Sequence, residues 1–224
     1  MSDHFSVFLL PYSFYINNSM KFLYLFFIFA LFFQSDIAAA QSDLPPIVKK
    51  AEQYLQDLKT VEARFVQRAE DGSVLYGTFY LNRPGRLRFE YDDPIDDFIV
   101  ADGYFIYFYD AELGEQSNAP IGQTLADFLL RKKLRFGEEL SVQDVRQADG
   151  IVDIRLVQSG DTEAGALILS FSKDPFQLRG WSVVDGMGYT TQTELMALRI
   201  GIKLDDSLFI YQDPNRFEDF RVNQ

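Results

Sequence analysis

The sequence predicts a mainly β fold with α-helices (an α+β protein): an antiparallel sheet with barrel-like curvature, whose open side is covered by at least one helix. Apolar residues recur at helical spacing in only two stretches, one near the start of the folded chain and one near its middle. Elsewhere the period is two, and the segments are separated by turn signals such as Asp-Gly and Pro-Gly. The chain has 22 Phe and 12 Tyr but one Trp, a bias typical of strands. So many hairpin-linked strands require curvature, because a long flat sheet would expose its edges.

The N-terminus has the pattern of a secretory signal peptide. An apolar run at residues 22–33 follows Lys21, and three alanines at 38–40 offer a small-residue cleavage site. The run is too short to span a bilayer, which needs about 20 residues. We therefore expect a signal peptide over residues 1–40, with cleavage after Ala40 and with Met20 as an alternative start. Residues 41–224 are then a single domain.

The helices and strands follow from these periodicities. A helix is predicted over residues 44–58, where Ile47, Ala51, Tyr54, Leu55 and Leu58 share a face. A second, short helix follows residue 120, with Thr124 as its cap and Ile121, Leu125, Phe128 and Leu129 as its apolar face. The predicted strands are residues 61–68, 74–81, 87–91, 98–101, 104–109, 140–146, 152–157, 166–171, 178–184, 189–198 and 208–211.

The turn at residues 83–85 introduces the strand on which the functional hypothesis depends. Pro-Gly at positions 84 and 85 is a strong turn signal. From residue 86 the side chains alternate, with Leu87, Phe89 and Tyr91 on one face and Arg86, Arg88 and Glu90 facing water. A second aromatic strand, residues 104–109, is apolar on both faces. The pattern leaves open whether such a face meets a core or a ligand cavity.

Missing residue types exclude much of enzyme chemistry. The chain has no Cys, and its one histidine, His4, lies within the predicted signal peptide. Histidine- or cysteine-based catalytic and metal sites are therefore not expected. The acidic pairs at 92–93, 96–97, 138–139 and 205–206 occur at expected turns or strand ends, so we predict no catalytic residues. The net charge of −12 argues against nucleic acid and anionic lipid surfaces as partners. Nothing indicates a metal or a cofactor.

The ordered set of motifs resembles the LolA family of periplasmic outer-membrane lipoprotein carriers. After the signal peptide and the amphipathic helix, the resemblance is carried by Phe65-Val66-Gln67, Gly77-Thr78-Phe79-Tyr80, Arg83-Pro84-Gly85-Arg86-Leu87-Arg88-Phe89, Asp102-Gly103, Tyr107-Phe108-Tyr109-Asp110 and Leu208-Phe209. The resemblance implies an incomplete antiparallel β-barrel covered by an α-helical lid. It also implies a cavity that takes up the acyl chains of lipoproteins, and no enzymatic activity.

The resemblance also assigns site residues. Arg83 matches the arginine that latches the lid of the empty carrier. Leu87 and Phe89 match positions that line the acyl-chain cavity. To the cavity we add Tyr91, from the same strand face, and Leu125, Phe128 and Leu129, from the predicted lid helix by approximate placement.

The partners implied by the resemblance are acylated lipoproteins and the inner-membrane ABC-type complex that releases them, with the carrier acting as a monomer in the periplasm. Whether an outer-membrane lipoprotein receptor accepts the cargo stays open. An outer-membrane-anchored receptor of the same fold would need a lipidated N-terminal Cys, which the chain lacks. A periplasmic lipid-binding or lipoprotein-sensing protein with other cargo is the alternative.

Overall fold

Eleven antiparallel strands form one sheet in the computed structural model, which describes residues 44–122, 128–138, 140–163 and 165–214. One α-helix, α1 (Pro46–Asp57), precedes the strands of this described part. The strands are β1 (Thr60–Ala69), β2 (Val74–Asn82), β3 (Arg86–Tyr91), β4 (Phe98–Asp102), β5 (Phe105–Asp110), β6 (Glu115–Pro120), β7 (Leu140–Ala148), β8 (Ile151–Gln158), β9 (Ala166–Lys173), β10 (Phe176–Val184) and β11 (Thr190–Ile200). The predicted signal peptide and its cleavage site lie outside the described residues.

Two meanders meet at the centre of the sheet. Strand β1 pairs with β2 on one side and with β11 on the other. The strand order is β6-β5-β4-β3-β2-β1-β11-β10-β9-β8-β7, so β6 and β7 are its edges. The mainly β antiparallel architecture is therefore confirmed.

Ring contacts across the sheet measure how strongly it curves. Phe89 on β3 and Trp181 on β10 are separated by four strand spacings, which is about 19 Å in a flat sheet. Their ring centroids are only 6.3 Å apart. Register shifts in β1, β7 and β10 add local bends, as bulges do. The sheet is thus curved but open, and its concave side, here the inner face, holds the core.

Helix α1 covers part of the inner face. A proline occupies its first turn, where a missing N–H costs nothing, and Val48, Ala51 and Leu55 are fully buried on one side. These three residues belong to the same core cluster as the inner-face side chains of the sheet. The helix therefore packs through an apolar stripe, as its periodicity predicted.

The polar edge strand β6 (Glu115–Pro120) was not predicted. It has the sequence EQSNAP and is almost entirely exposed, so it shows no apolar alternation. Strand β5 nevertheless pairs with it along its whole length. Backbone pairing with a neighbour defines this strand, and hydrophobic patterning cannot reveal that.

The prediction of a strand at residues 208–211 is wrong. The chain instead forms a 3-10 helix, Asp206–Phe209, and the Asp205 carboxylate accepts a hydrogen bond from the Ser207 N–H at its start. Such capping favours a helical turn over an extended strand.

The second predicted helix is described only in part. Phe128 and Leu129 lie in a short 3-10 turn, whereas Thr124 and Leu125 fall outside the described residues. Among the helices described, none has the length and apolar character needed to cross a membrane.

Candidate functional site

Five large aromatic side chains lie together on the inner face. Phe65, Phe79 and Phe89 come from β1, β2 and β3, Trp181 from β10, and Phe128 from the segment after β6; we call them the inner cluster. The ring centroids are 5.1 Å apart for Phe65–Phe89, 4.8 Å for Phe79–Phe89 and 5.7 Å for Phe128–Trp181. All five are buried. Several of these pairs meet edge to face, a favourable arrangement for aromatic rings.

Gly77 makes room for one ring of this cluster. It lies opposite Phe65 in the β1–β2 register. A Cβ added to Gly77 would stand 2.5 Å from the Phe65 ring and 2.1 Å from the Glu90 carbonyl oxygen. Only glycine therefore fits, and the aromatic ring covers the backbone that the missing side chain leaves bare.

The structure places most of the predicted cavity residues beside this cluster. Leu87, Phe89, Phe128 and Leu129 are buried, and Tyr91 is partly buried against them. Leu125 lies outside the described residues. Trp181 and Phe79 are central to the cluster but were not singled out from the sequence. The alternation within β2 places Phe79 on the buried face, where it is paired directly with Phe89 in the β2–β3 register. Trp181 lies beyond a register shift that interrupts the alternation of β10, and only the curvature of the sheet brings it to β3.

Tyr91 is the polar margin of the inner face. Its ring packs edge to face on Phe65 at 5.4 Å, and its hydroxyl donates to Gln67 Oε1 at 2.8 Å. Burial raises the pKa of Tyr91 to about 12, and the nearby Asp97 carboxylate adds to the shift. The hydroxyl thus stays protonated and acts as a donor at neutral pH.

A segment running over the inner face closes the site; we call residues 128–138 the strap. Leu129, Leu130, Leu134 and Phe136 of the strap are buried, together with Phe128. On one side the strap is bonded to the β2–β3 turn. Arg83 Nη2 donates to the Arg131 carbonyl oxygen at 2.5 Å, and the Gly85 N–H donates to the Leu130 carbonyl oxygen at 2.9 Å.

Arg83 is a buried and incompletely paired guanidinium. It is 9% exposed, and within the described part of the chain its Nε and Nη1 groups have no hydrogen-bond partner. Burial lowers the pKa of Arg83. A charge-assisted bond contributes about 1.5–3 kcal/mol, whereas each unpaired buried donor costs about 1–3 kcal/mol. The side chain therefore holds the strap with a small net free energy.

The strap is bonded to α1 on its other side. Gln56 Nε2 donates to the Leu134 carbonyl oxygen at 2.9 Å, and the Phe136 N–H donates to Glu52 Oε2 at 2.6 Å. Glu52 and Gln56 are one helical turn apart, so both point to the same side of α1. Neither residue was identified from the sequence, since nothing local marks a polar residue whose partner is some 80 positions away.

The outer face carries a second aromatic group of different composition. Phe98, Tyr107, Tyr109 and Tyr211 form this outer cluster, with centroids 5.2 Å apart for Phe98–Tyr109 and 4.7 Å for Tyr107–Tyr211. A cavity of about 830 Å³ adjoins it, between Arg88, Phe98 and residues 207, 208 and 210–214. This cavity contains none of the predicted site residues.

The expectation that Arg88 faces only water is wrong. Its side chain is 19% exposed, lies 5.0 Å from the Phe98 ring centroid and pairs with Glu90 at 2.5 Å. Arg86 is more open and pairs with Asp206 at 2.8 Å. The segment around the 3-10 helix covers this part of the outer face, which the strand pattern alone could not show.

The acidic residues of the described part do not converge on a metal site. No group of three or more His, Cys, Asp or Glu side chains in these ranges could hold an ion. Asp92, from one of the acidic pairs, forms an exposed ion pair with Arg64. Asp205 caps the 3-10 helix. These carboxylates have structural partners at turns and strand ends.

The fold and the site together define a class: a curved open β-sheet whose inner face is apolar and lies beneath a helix and a strap. The family model described as outer membrane lipoprotein carrier protein LolA matches residues 56–212. The chain therefore belongs to the LolA family.

Two relatives with that description agree with this assignment. An outer-membrane lipoprotein carrier protein of Methylococcus capsulatus is 29% identical over 79% of this chain and 88% of its own length. Another, of Xylella fastidiosa, is 30% identical over 76% of this chain and 82% of its own length. Among solved structures, a LolA superfamily protein of Nitrosomonas europaea matches with a TM-score of 0.40 and 9% identity, over 73% of this chain and 97% of that one.

Proposed function

We propose that this protein is a periplasmic carrier that shelters the acyl chains of lipoproteins released from the inner membrane and delivers them to the outer membrane. The observation that carries the proposal is the inner cluster beneath the strap, in a chain of a lipoprotein-carrier family. The inner face offers hydrocarbon and aromatic surface, with Tyr91 as its polar margin. No catalytic residue or cofactor has a role in it.

The apolar inner face is the kind of surface that acyl chains need in order to cross water. Each methylene group moved from water to an apolar site is worth about 0.8 kcal/mol, so acyl chains need a large apolar surface to cross water. In the closed protein the inner face is covered by Phe128, Leu129 and Leu130 of the strap. Acyl chains would take the place of these side chains. The strap would cover the face again once the cargo leaves.

Arg83 is the latch in this proposal. It donates the side-chain bond from the β2–β3 turn to the strap, and its unpaired donors keep the net hold small. A carrier needs such a balance, because a strong latch would prevent loading and a missing one would leave nothing to oppose retention. In this proposal Leu87, Phe89 and Tyr91 line the acyl-chain site on the sheet, and Phe128 and Leu129 face it from the strap, with Leu125 a further predicted lining residue.

The carrier would act as a monomer between two membranes. It would receive lipoproteins from an inner-membrane ABC-type releasing complex and give them up at the outer membrane, where a receptor is a further candidate partner. The mature chain would begin at Gln41. The intact mass of the protein isolated from its host tests this part, since a mass that includes residues 22–33 would contradict cleavage.

The decisive experiment is release of lipoproteins from spheroplasts. Mature protein, residues 41–224, is incubated with spheroplasts and the supernatant is examined for soluble complexes between the protein and lipoproteins. We expect lipoproteins to appear in such complexes. Recovery of free lipids without lipoproteins would favour the alternative, a lipid-binding or sensing protein of the same fold.

A matched pair of variants ties this release to the inner face. Leu87→Glu places a charge beside the inner cluster, whereas Tyr76→Glu places one on the outer face of the neighbouring strand, at a position that is 52% exposed. We expect the first variant to lose release and the second to keep it. A buried charge costs several kcal/mol, so circular dichroism must show that Leu87→Glu is folded. Global unfolding would mean that Leu87 is an ordinary core residue.

A further inference from the structure

The strap is attached at two ends, and the two ends differ in chemistry. At the β2–β3 turn it is held by Arg83 and by the Gly85 N–H, which donates to Leu130. At α1 it is held by Gln56 and Glu52, which bond to backbone atoms of Leu134 and Phe136. The strap therefore bridges from the turn to the helix across the inner face.

The attachment to α1 is polar but well satisfied. Glu52 is only partly buried, so its carboxylate keeps some contact with water while it accepts from the Phe136 N–H at 2.6 Å. A charged acceptor makes this one of the stronger kinds of hydrogen bond. A Cβ added to Gly137 would meet Leu44 at 3.8 Å, so the strap follows α1 toward the start of the helix. Opening at this end would break satisfied bonds.

The attachment to the turn is less favourable. The Arg83 guanidinium is buried there, and two of its nitrogen groups lack partners among the described residues. Opening at the turn would return a charged group and those N–H groups to water. The cost of breaking the Arg131 bond is offset by hydration at this end, whereas the α1 end has no comparable gain.

We propose that the protein opens asymmetrically: the strap leaves the β2–β3 turn and remains bonded to α1. Glu52 is then a positioning residue, which keeps the detached strap beside the helix so that it can return to Arg83. The inference rests on the proposed function and deepens it, because it states which contact breaks when acyl chains enter. It also assigns a role to Glu52, a residue of α1 that the proposed function does not use.

Two amides of the wild-type protein report on the two ends. The Gly85 amide bonds to Leu130 at the turn, and the Phe136 amide bonds to Glu52 at the helix. Amide hydrogen exchange is measured by NMR in the empty protein and with a synthetic triacylated lipopeptide bound, binding being followed by the fluorescence of Trp181. On loading we expect exchange at Gly85 to accelerate at least about tenfold and exchange at Phe136 to stay within about twofold.

The outcomes separate this inference from the function on which it rests. Equal acceleration at both amides would overturn the inference, because the strap would then leave the helix as well. Unchanged exchange at Gly85 in the loaded protein would overturn it too. Failure of the lipopeptide to bind would overturn the proposed function and the inference together.

Variants of α1 test the positioning role. Glu52→Ala removes the acceptor of the Phe136 amide, and we expect at least about tenfold faster exchange there in the empty protein. Glu52→Gln keeps an acceptor oxygen at the same position and should restore most of the protection. Gln53→Ala is the control, since Gln53 lies on the exposed side of α1 and bonds only to Asp57 in the described structure.

The rate at which the loaded protein transfers its lipopeptide distinguishes a positioning role of Glu52 from a merely stabilising one. With the strap released at the turn and held at α1 through Gln56 alone, Glu52→Ala should take up the lipopeptide but transfer it to acceptor vesicles several-fold more slowly, and Glu52→Gln should transfer it at the wild-type rate. Equal transfer by Glu52→Ala and Gln53→Ala would overturn the positioning role.

Discussion

The two faces of the sheet carry aromatic clusters of contrasting chemistry. The inner cluster consists of four Phe and Trp181, all buried, with one hydroxyl at its margin on Tyr91. The outer cluster consists of three Tyr and Phe98, and apart from the buried Tyr109 its rings are only partly buried. Burying a phenol is costly unless its hydroxyl finds a partner, and among the described residues the Tyr211 hydroxyl of the outer cluster is buried without one. The five rings of the inner cluster carry no hydroxyl, so the inner face is the better suited of the two to material that brings no hydrogen bonds.

The two arginines beside these clusters also differ, in the partners that their guanidinium groups have. Arg88 on the outer face has both a carboxylate and an aromatic ring as neighbours. Arg83 at the inner side has one carbonyl partner and two unpaired nitrogen groups within the described chain. Moving Arg88 would separate it from a carboxylate, whereas releasing Arg83 would break one carbonyl bond and return its two unpaired groups to water, which offsets that loss. The comparison supports the proposal that the inner side is the part of the molecule that opens.

The largest effect is expected from truncating one ring in each cluster. Phe89→Ala removes a buried ring at the centre of the inner cluster and should lower the free energy of unfolding by about 3–5 kcal/mol. Phe98→Ala removes a partly buried ring of the outer cluster and should cost roughly half as much. Urea denaturation of both variants measures the difference. Equal losses would mean that the two faces are packed alike.

A smaller effect is expected from Arg83→Leu. The lost charge-assisted bond corresponds to about 1.5–3 kcal/mol, or roughly a 10- to 150-fold shift toward the open form. The unpaired donors disappear with it, so we expect the lower end, about tenfold. The empty variant should bind more of an apolar dye, and the loaded variant should retain its lipoprotein when outer membrane is added.

Arg88→Leu makes the same chemical change on the outer face and is the matched control. It leaves the strap untouched, so loading, dye binding and transfer should all remain as in the wild type. If Arg83→Leu also loads and unloads normally, then Arg83 is no latch, and the strap is held by its apolar side chains and its other hydrogen bonds.

The sequence predicts those parts of the fold that local patterns determine. The period of two located ten of the eleven strands, and the turn at residues 83–85 directed Leu87 and Phe89 inward, as observed. The missed strand, β6, is polar and depends on pairing with β5. The misassigned segment, Asp206–Phe209, depends on a cap that competes with an extended backbone.

The site was less predictable because it joins residues that are distant in sequence. Trp181 reaches Phe89 only because the sheet curves, and the Glu52 carboxylate meets a backbone amide 84 positions away. Periodicity contains no information on either contact. The role proposed for Arg83 came from resemblance to a family, since an arginine next to a turn is by itself most simply a solvated side chain.

The smallest effect at neutral pH is expected from Tyr91→Phe, which tests the polar margin of the inner face. Removing the hydroxyl loses one bond to Gln67, about 1 kcal/mol, and leaves the ring in place.

The effect of pH on the stability linked to this hydroxyl is larger. Burial raises the pKa of Tyr91 to about 12, whereas an unfolded tyrosine ionises near 10. The stability linked to the protonated hydroxyl is therefore complete below pH 10 and is lost as the pH rises toward 12, for a total of about 2–3 kcal/mol. The wild type should lose this stability and Tyr91→Phe should not, so their free energies of unfolding should converge and then cross in this range.

Tyr104→Phe, at a position that is 80% exposed, is the control and should follow the wild type because its hydroxyl meets water in both states. Urea titrations at several pH values between 8 and 12 measure the three curves. Parallel curves for wild type and Tyr91→Phe would show that the Tyr91 hydroxyl is hydrated in solution and that the inner face is open to water at this margin.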